Sequence, residues 1–87
     1  MKTETAEPTT VGEMLLEEFL KPMDMSSHEL ADLMKITDKR IEDILMNFKK
    51  INKREGLLLA KIFQTDNDFW TRLQRTHFKW LRDSNKK

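Results

Sequence analysis

Lysine and arginine side chains concentrate in the middle of the chain, where they could bind a nucleic acid. Residues 35–54 hold seven basic and three acidic side chains, a net charge of +4 in a chain whose overall net charge is +1. An arginine donates two hydrogen bonds to one guanine edge, and a basic side chain also neutralises phosphate. We therefore predict that Arg40 reads a base edge. Lys39 either reads a base or pairs with Asp43, and an ion pair with Asp43 is also the alternative for Arg40.

Two short amphipathic helices joined by a tight turn would position these side chains, over residues 26–47. The apolar residues that recur at helical spacing are Leu30, Ala31 and Met34 in the first helix and Ile41, Ile44 and Leu45 in the second. Ala31 is small enough to let the second helix cross closely over the first. The pattern is typical of a helix-turn-helix, whose second helix enters the major groove of DNA.

Other polar side chains of this region are expected near the DNA. The full set of predicted contacts is Ser27, His28, Thr37, Asp38, Lys39, Arg40, Glu42, Asp43, Asn47, Lys49, Lys50 and Lys53. The three lysines that follow the second helix would bind the backbone and position the protein without reading sequence. Thr37 is first a helix cap, and Asn47 contacts a phosphate or, as the pattern favours, ends the helix. A carboxylate can accept a hydrogen bond from cytosine, but three of them near the groove weaken the attraction to phosphate.

Five helix-start signals predict an all-α fold of five helices. Thr10, Ser26, Asn52 and Thr65 each precede an acidic residue by three positions, which is the pattern of an N-cap, and Thr37 is a further cap. The predicted helices are 11–22, 27–34, 38–46, 53–63 and 67–82. Residues 10–82 would form one domain, with a flexible polar tail at 1–9 and a polar tail at 83–87.

Composition excludes several other classes of function. The chain has no cysteine, hence no disulfide and no thiolate metal site, and no apolar run approaches the ~20 residues of a membrane span. The N-terminus lacks the apolar core of a signal peptide, so a cytoplasmic protein is expected. His28 and His77 are far apart in sequence with no third ligand nearby, so we predict neither metal nor cofactor. No nucleophile or acid–base pair has supporting residues, so we do not expect an enzyme.

The last predicted helix carries more aromatic area than a small core needs. We predict that part of it meets a second copy of the chain, through Phe69, Trp70, Leu73, His77, Trp80 and Leu81. The alternative is that both tryptophans close the core of the monomer. The first helix has an acidic face, Glu13, Glu17 and Glu18, which would engage a basic partner or would simply be solvated.

Several segments together make the chain resemble the HigA-type antitoxins of bacterial toxin–antitoxin operons, within the phage-repressor-like helix-turn-helix class. They are Gly-Glu-Met-Leu-Leu-Glu-Glu-Phe-Leu-Lys-Pro-Met (12–23), Ser-x-x-Glu-Leu-Ala (26–31), Ile-x-x-Ile-Leu-x-Asn (41–47), Leu-Ala-Lys-Ile-Phe (59–63) and Asp-Phe-Trp-x-x-Leu-Gln (68–74). The resemblance implies a homodimer that binds a palindromic operator in its own promoter. It also implies neutralisation of a HigB-like ribonuclease toxin of the RelE-like fold, and dimer contacts from the C-terminal helix.

The chain departs from the family pattern at helix ends where glycine is usual. Asp24, Lys35, Phe48 and Gln64 stand at these positions. A residue other than glycine in a left-handed conformation costs roughly 1 kcal/mol, so each turn either absorbs that cost or adopts another geometry. Two alternative functions stay open: a toxin-binding module that has lost DNA binding, which the acidic second helix of the helix-turn-helix favours, and a phage-type repressor without a toxin.

Overall fold

Five helices make up the protein in the computed structural model, which describes residues 8–84; that range contains no strand. Helix α1 spans residues 11–23 in three contiguous segments, Val11–Glu13, the π-helical Met14–Leu20 and Lys21–Met23. The others are α2 (Ser27–Met34), α3 (Asp38–Leu45), α4 (Lys53–Phe63) and α5 (Phe69–Ser84). The all-α prediction is confirmed. Among the described residues, no helix is long and apolar enough to cross a membrane.

The helix boundaries follow the predicted ones closely, with the largest differences in α5. This helix begins at Phe69 and runs to Ser84, two residues beyond the predicted domain end at 82. Residues 1–7 and 85–87 of the predicted tails lie outside the described residues.

Side-chain caps start four of the helices as predicted. Thr10, Ser26 and Asn52 each accept a hydrogen bond from the backbone N–H three residues later, and the glutamate there bonds back to the cap. Thr37 caps α3 by accepting from the Arg40 N–H at 3.0 Å. The predicted cap at Thr65 is wrong, because α5 starts later and the Thr65 hydroxyl donates to the Asp66 carbonyl at 3.4 Å.

The π-helical winding of α1 explains how its apolar side chains reach the core. Hydrogen bonds that span five residues place residues five apart on one face, and Leu15 and Leu20 are both buried. Lys21 donates its N–H to the Leu16 carbonyl in this register. The next residue, Pro22, has no N–H to give and would clash with a carbonyl four residues back in a regular helix. The winding of the helix therefore changes before Pro22, and the helix continues to Met23.

Trp70 lies at the centre of the core, where its side chain is fully buried. Its ring centroid lies 5.3 Å from that of Phe19, 6.3 Å from that of Phe63 and 4.9 Å from that of Phe69. The prediction that Trp70 belongs to a dimer interface is therefore wrong. Phe69 and Leu73 are partly buried and pack against the same core.

The first four helices end in the same left-handed C-cap motif. Their end residues Asp24, Lys35, Asn47 and Gln64 have φ angles of 54°, 59°, 64° and 58°. In each case the following residue donates its N–H to the carbonyl five positions earlier, which defines this motif. The expected position at Phe48 is wrong by one residue, since Asn47 takes the left-handed conformation, which asparagine tolerates well. The other three positions accept the conformation without glycine.

A close contact fixes the start of α1 against the end of α3. The Gly12 N–H donates to Asn47 Oδ1 at 3.1 Å. A Cβ atom on Gly12 would lie 2.8 Å from that oxygen and would overlap the Leu45 carbonyl oxygen. This position therefore requires glycine because of the close approach of the two helices, with no special backbone angle involved.

Candidate nucleic-acid interface

Helices α2 and α3 form the predicted helix-turn-helix. Leu30, Ala31 and Met34 of α2 and Ile41 and Ile44 of α3 are all buried between the helices and the rest of the core. The turn is held by the Ile36 N–H, which donates to the Ala31 carbonyl at 3.0 Å. The outer face of α3 is thereby left to polar side chains.

Arg40 makes contacts that differ from both sequence-based alternatives. Its Nε lies 2.8 Å from Glu55 Oε2, and its Nη2 lies 2.6 Å from Glu55 Oε1 and 2.8 Å from the Lys50 carbonyl. Its side chain is only 29% exposed and that of Glu55 only 4%. This geometry argues against Arg40 as a reader of bases, because the fork that would grip guanine is bonded within the protein. The ion pair with Asp43 does not form.

Electrostatics favours this contact between α3 and α4. Burial alone would raise the pKa of Glu55, but hydrogen bonds from Arg40 and from the Asn52 N–H outweigh it, and the net effect lowers that pKa. The hydrogen bond to Glu55 raises the pKa of Arg40. Both side chains stay charged, and Arg40 fixes the Lys50 backbone.

Lys39 adopts the ion-pair alternative, although its side chain remains accessible. Its Nζ lies 2.8 Å from Asp43 Oδ1, with Lys39 79% exposed and Asp43 13% exposed. The Lys39 ammonium is the exposed end of this pair and is accessible to a phosphate, so Lys39 stays a candidate DNA contact.

His28 of α2 lies near two carboxylates, Asp38 at the start of α3 and Asp32 on its own helix. Its Nδ1 lies 2.9 Å from Asp38 Oδ1, and its Nε2 lies 3.6 Å from Asp32 Oδ2. The hydrogen bond with Asp38, followed by the charges of Asp38 and Asp32, raises the pKa of His28 above its ordinary value. A protonated His28 partly offsets the repulsion between Asp38 and phosphate. Within residues 8–84, no group of three or more side chains is placed to hold a metal ion.

The remaining predicted contacts divide into structural and exposed residues. Thr37 caps α3, and Asn47 occupies the left-handed end of that helix, which is the role its sequence pattern favoured. Ser27 is half-buried in the first turn of α2, directly after the Ser26 cap. Glu42 is exposed and has no ion-pair partner among the described residues.

The basic loop, residues 48–52, is anchored at its backbone while its lysines face solvent. Gln74 of α5 donates to the Ile51 carbonyl at 3.0 Å and accepts from the Ile51 N–H at 2.8 Å. Lys49 and Lys50 of this loop are exposed, as is Lys53 in the first turn of α4. The Lys50 Nζ lies 4.9 Å from the centroid of the Phe78 ring. The loop thus exposes its lysine side chains on an anchored backbone, where they could contact phosphates and position the protein on DNA.

Sequence reasoning missed two residues that build this surface, Glu55 and Gln74. Glu55 was recognised only as the acidic residue after the Asn52 cap, and its second contact is to Arg40, fifteen residues away. Gln74 ends the distinctive Asp-Phe-Trp-x-x-Leu-Gln segment, which was the available signal for it.

The C-terminal half of α5 keeps apolar area at the surface. His77, Trp80 and Leu81 are half-buried, and Phe78 is 41% exposed. The His77 ring centroid lies 6.2 Å from that of Trp80 in a stacked arrangement. Of the predicted dimer set, His77, Trp80 and Leu81 thus keep exposed area, as do the partly buried Phe69 and Leu73, whereas Trp70 does not.

The predicted acidic face of α1 is exposed. Glu17 pairs with Lys21 at 2.9 Å, and Glu13 accepts from the Thr10 N–H at 3.4 Å. Glu18 has no ion-pair partner in the described part of the chain. The three carboxylates lie beside Met14 and Phe19 along an open groove.

Comparison with known proteins gives close relatives along nearly the whole chain, although no family model matches it. The HTH-type transcriptional regulator YbaQ of Escherichia coli is 36% identical over 85 residues, which are 98% of this chain and 75% of YbaQ. Antitoxin HigA-1 of Vibrio cholerae is 30% identical over 80 residues, covering 92% of this chain and 75% of HigA-1. This chain belongs to the HigA antitoxin family.

A solved structure of a HigA protein matches the fold at similar coverage. The structure described as Pseudomonas aeruginosa antitoxin HigA with the higBA promoter has a TM-score of 0.83 and 28% identity, covering 88% of this chain and 84% of that one. The HigA-type resemblance inferred from the sequence is confirmed.

The segment at residues 68–74, one of those that carry the resemblance, has a physical role in this chain. Trp70 fills the centre of the core, and Gln74 holds the backbone of the basic loop. The segment therefore connects the core to the surface next to the helix-turn-helix.

Proposed function

We propose that this HigA-family protein is an antitoxin that represses its own operon by binding palindromic operator DNA as a homodimer, and that neutralises a HigB-like, RelE-fold toxin that cleaves mRNA. The proposal places the protein in the cytoplasm and assigns it no catalytic step and no cofactor. The main support for this proposal is the structural similarity, over 88% of the chain, to the Pseudomonas aeruginosa antitoxin HigA in the structure with the higBA promoter.

DNA binding is supported by the arrangement of cations beside α3. Lys39 is accessible on that helix, and Lys49, Lys50 and Lys53 are exposed on the loop and helix that follow. Arg40 acts as a positioning residue, because it holds the Lys50 carbonyl and Glu55. Base readout then falls to α3 side chains other than Arg40: Glu42 is available to accept from cytosine, and Asp38 through the carboxylate oxygen that is not bonded to His28.

Dimerisation is supported by the apolar area of α5. His77, Phe78, Trp80 and Leu81 lie close together in the sequence of the helix, and all four keep exposed area. In a two-fold dimer, the two α3 helices would enter successive major grooves about 34 Å apart.

The DNA part of the proposal is tested by titrating a fluorescent duplex from the protein's own promoter at several salt concentrations. The triple variant Lys49→Ala/Lys50→Ala/Lys53→Ala should bind more weakly at all sequences, and its salt slope should fall by about one for each phosphate that is no longer neutralised. Lys61→Ala, which changes an exposed lysine in α4, is the matched control. An unchanged slope in the triple variant would contradict the proposed phosphate surface.

The toxin part is tested by co-expression with the neighbouring reading frame. A basic protein of ~90–110 residues that is toxic alone, and that co-purifies with this chain and loses its toxicity, is the expected result. If the neighbouring product is harmless or does not bind, the antitoxin function is wrong and a repressor without a toxin is favoured.

A second candidate function is a toxin-binding module without operator binding. It is favoured by the internal bonding of Arg40 and by the carboxylates Asp38 and Glu42 on α3. This candidate predicts a tight toxin complex and no protected region when the promoter is footprinted, whereas the leading proposal predicts a tight toxin complex and a protected region.

A further inference from the structure

An apolar groove lies between the π-helical part of α1 and the C-terminal end of α3. Its apolar side chains are Leu16, Leu45, Met46 and Phe48, and its volume is about 510 Å³. Phe48 is 70% exposed and Met46 62%, the two largest values among the exposed large hydrophobic residues of the described chain. Adjacent exposed apolar side chains of this kind mark interaction surfaces more often than single ones do.

The backbone around Phe48 holds this side chain outside the core. Phe48 follows the left-handed Asn47 and donates its N–H to the Asp43 carbonyl at 2.8 Å. Met25 and Ile36 occupy the equivalent position after α1 and α2, and both pack against the core. An apolar residue at this position commonly packs on its own helix, so the exposure of Phe48 departs from the pattern of its own chain.

The opposite wall of the groove comes from an irregular helix. The π-helical winding buries Leu15 and Leu20 and leaves Leu16 38% exposed at the groove. π-helical segments occur frequently at functional sites. Two independent departures from regular structure thus expose apolar side chains at one place.

The charges around the groove indicate a basic partner. Glu42 lines it without an ion-pair partner among the described residues, while Lys39 and Asp43 neutralise each other. Elsewhere on α1, along the separate groove beside Met14 and Phe19, the carboxylates Glu13, Glu17 and Glu18 are exposed, with Glu17 paired to Lys21. A protein that binds RNA needs a basic surface to attract phosphates, so its charge complements these carboxylates.

We propose that this groove binds the toxin, by receiving an apolar side chain that the toxin presents within its basic surface. This inference rests on the proposed antitoxin function and specifies which face of the chain carries it. Phe48 and Met46 would supply the buried centre of the contact, and Glu42 would supply its charged edge. A second copy of this chain is the competing occupant.

The test compares the binding of purified neighbouring gene product to full-length variants by calorimetry. Met46→Ser/Phe48→Ser should weaken the complex at least about tenfold, as expected when the apolar centre of an interface is removed. Phe48→Leu should retain most of the affinity. The matched control is Leu57→Ser, which removes a leucine that is 42% exposed on α4, outside the groove. Glu42→Gln should slow association, mainly at low salt.

The outcomes separate this inference from the proposed function. If the wild type binds the toxin and the groove variants bind equally well, the groove assignment is overturned and the antitoxin function stands. If the wild type binds no toxin, both are overturned. Light scattering of the same variants tests whether a second copy of this chain occupies the groove. A groove variant that changes the oligomeric state would identify the groove as a contact between copies and would overturn the toxin assignment. Because the substituted side chains are exposed, we expect each variant to fold, and circular dichroism checks this.

Discussion

Removal of Arg40 should destabilise the protein more than any change to an exposed basic residue. In Arg40→Met, Glu55 would lose two hydrogen bonds and its ion-pair partner, and would keep the Asn52 N–H at 2.9 Å and the more distant charge of Arg54. Breaking a buried ion pair costs 3–5 kcal/mol, because one charge is left without compensation. Arg40 is 29% exposed, so water reaches the site from its side and the lower end applies. We expect a loss of about 3 kcal/mol.

The assay is thermal and urea denaturation followed by circular dichroism at pH 7 and at one fixed protein concentration. A loss of about 3 kcal/mol corresponds to a decrease in Tm of roughly 12–24 °C in a domain of this size. The double variant Arg40→Met/Glu55→Leu removes both charges and should recover most of that loss. If Arg40→Met loses less than about 1 kcal/mol, or if the double variant is as unstable as the single one, the buried ion pair is not a stabilising contact.

DNA binding distinguishes the two roles of Arg40, when measured well below the unfolding temperature of the variant. A positioning residue affects all operator sequences alike, because it acts through the Lys50 backbone. A base reader would lose discrimination of about 1–3 kcal/mol at one base pair only. Loss of preference at a single base pair would therefore refute the role of Arg40 as a positioning residue.

Three further predictions concern stability. Lys35→Gly should stabilise the protein by about 1 kcal/mol, since Lys35 has a φ of 59°, and urea denaturation at constant m-value checks this. Gly12→Ala should destabilise by about 1–3 kcal/mol, because the new Cβ overlaps the Leu45 carbonyl; an unchanged Tm would contradict the close approach of the two helices. The pKa of Glu55 is lower in the folded state than in the unfolded state, so its contribution is complete above the unfolded pKa and is lost as pH falls through the folded pKa. Denaturation between about pH 6 and pH 2 should show this loss in the wild type and a smaller one in Glu55→Gln.

Local signals in the sequence were sufficient to predict most of the fold. A cap such as Ser26 acts on an N–H three residues away, so its effect is visible in a short window. The position of the left-handed residue at the end of α3 was wrong by one residue, because the motif is set by backbone hydrogen bonds that the side-chain pattern of Asn47 and Phe48 does not specify. The sequence feature that corresponds to the change of winding in α1 is the spacing of Leu15 and Leu20. These two leucines are five residues apart, precede Pro22 and are both buried.

Contacts between distant parts of the chain were not predictable in the same way. Arg40 has Asp43 three residues away as a visible partner, yet it bonds to Glu55 because α3 and α4 meet there. Trp70 was assigned to a surface because aromatic residues are too many for a small core, and only tertiary packing decides which of them are buried. The prediction for the other α5 residues, including Trp80, stays a prediction.

The double hydrogen bond between Gln74 and Ile51 has a mechanical consequence for operator recognition. It joins α5 to the basic loop through hydrogen bonds of 2.8 and 3.0 Å, so a displacement of α5 would be transmitted to the backbone of the loop. In a dimer built on α5, the crossing angle of the two copies of that helix would fix how far apart the two loops can reach. The spacing of operator half-sites would then be inherited from the packing of α5, and a substitution far from the DNA would change which spacing is bound.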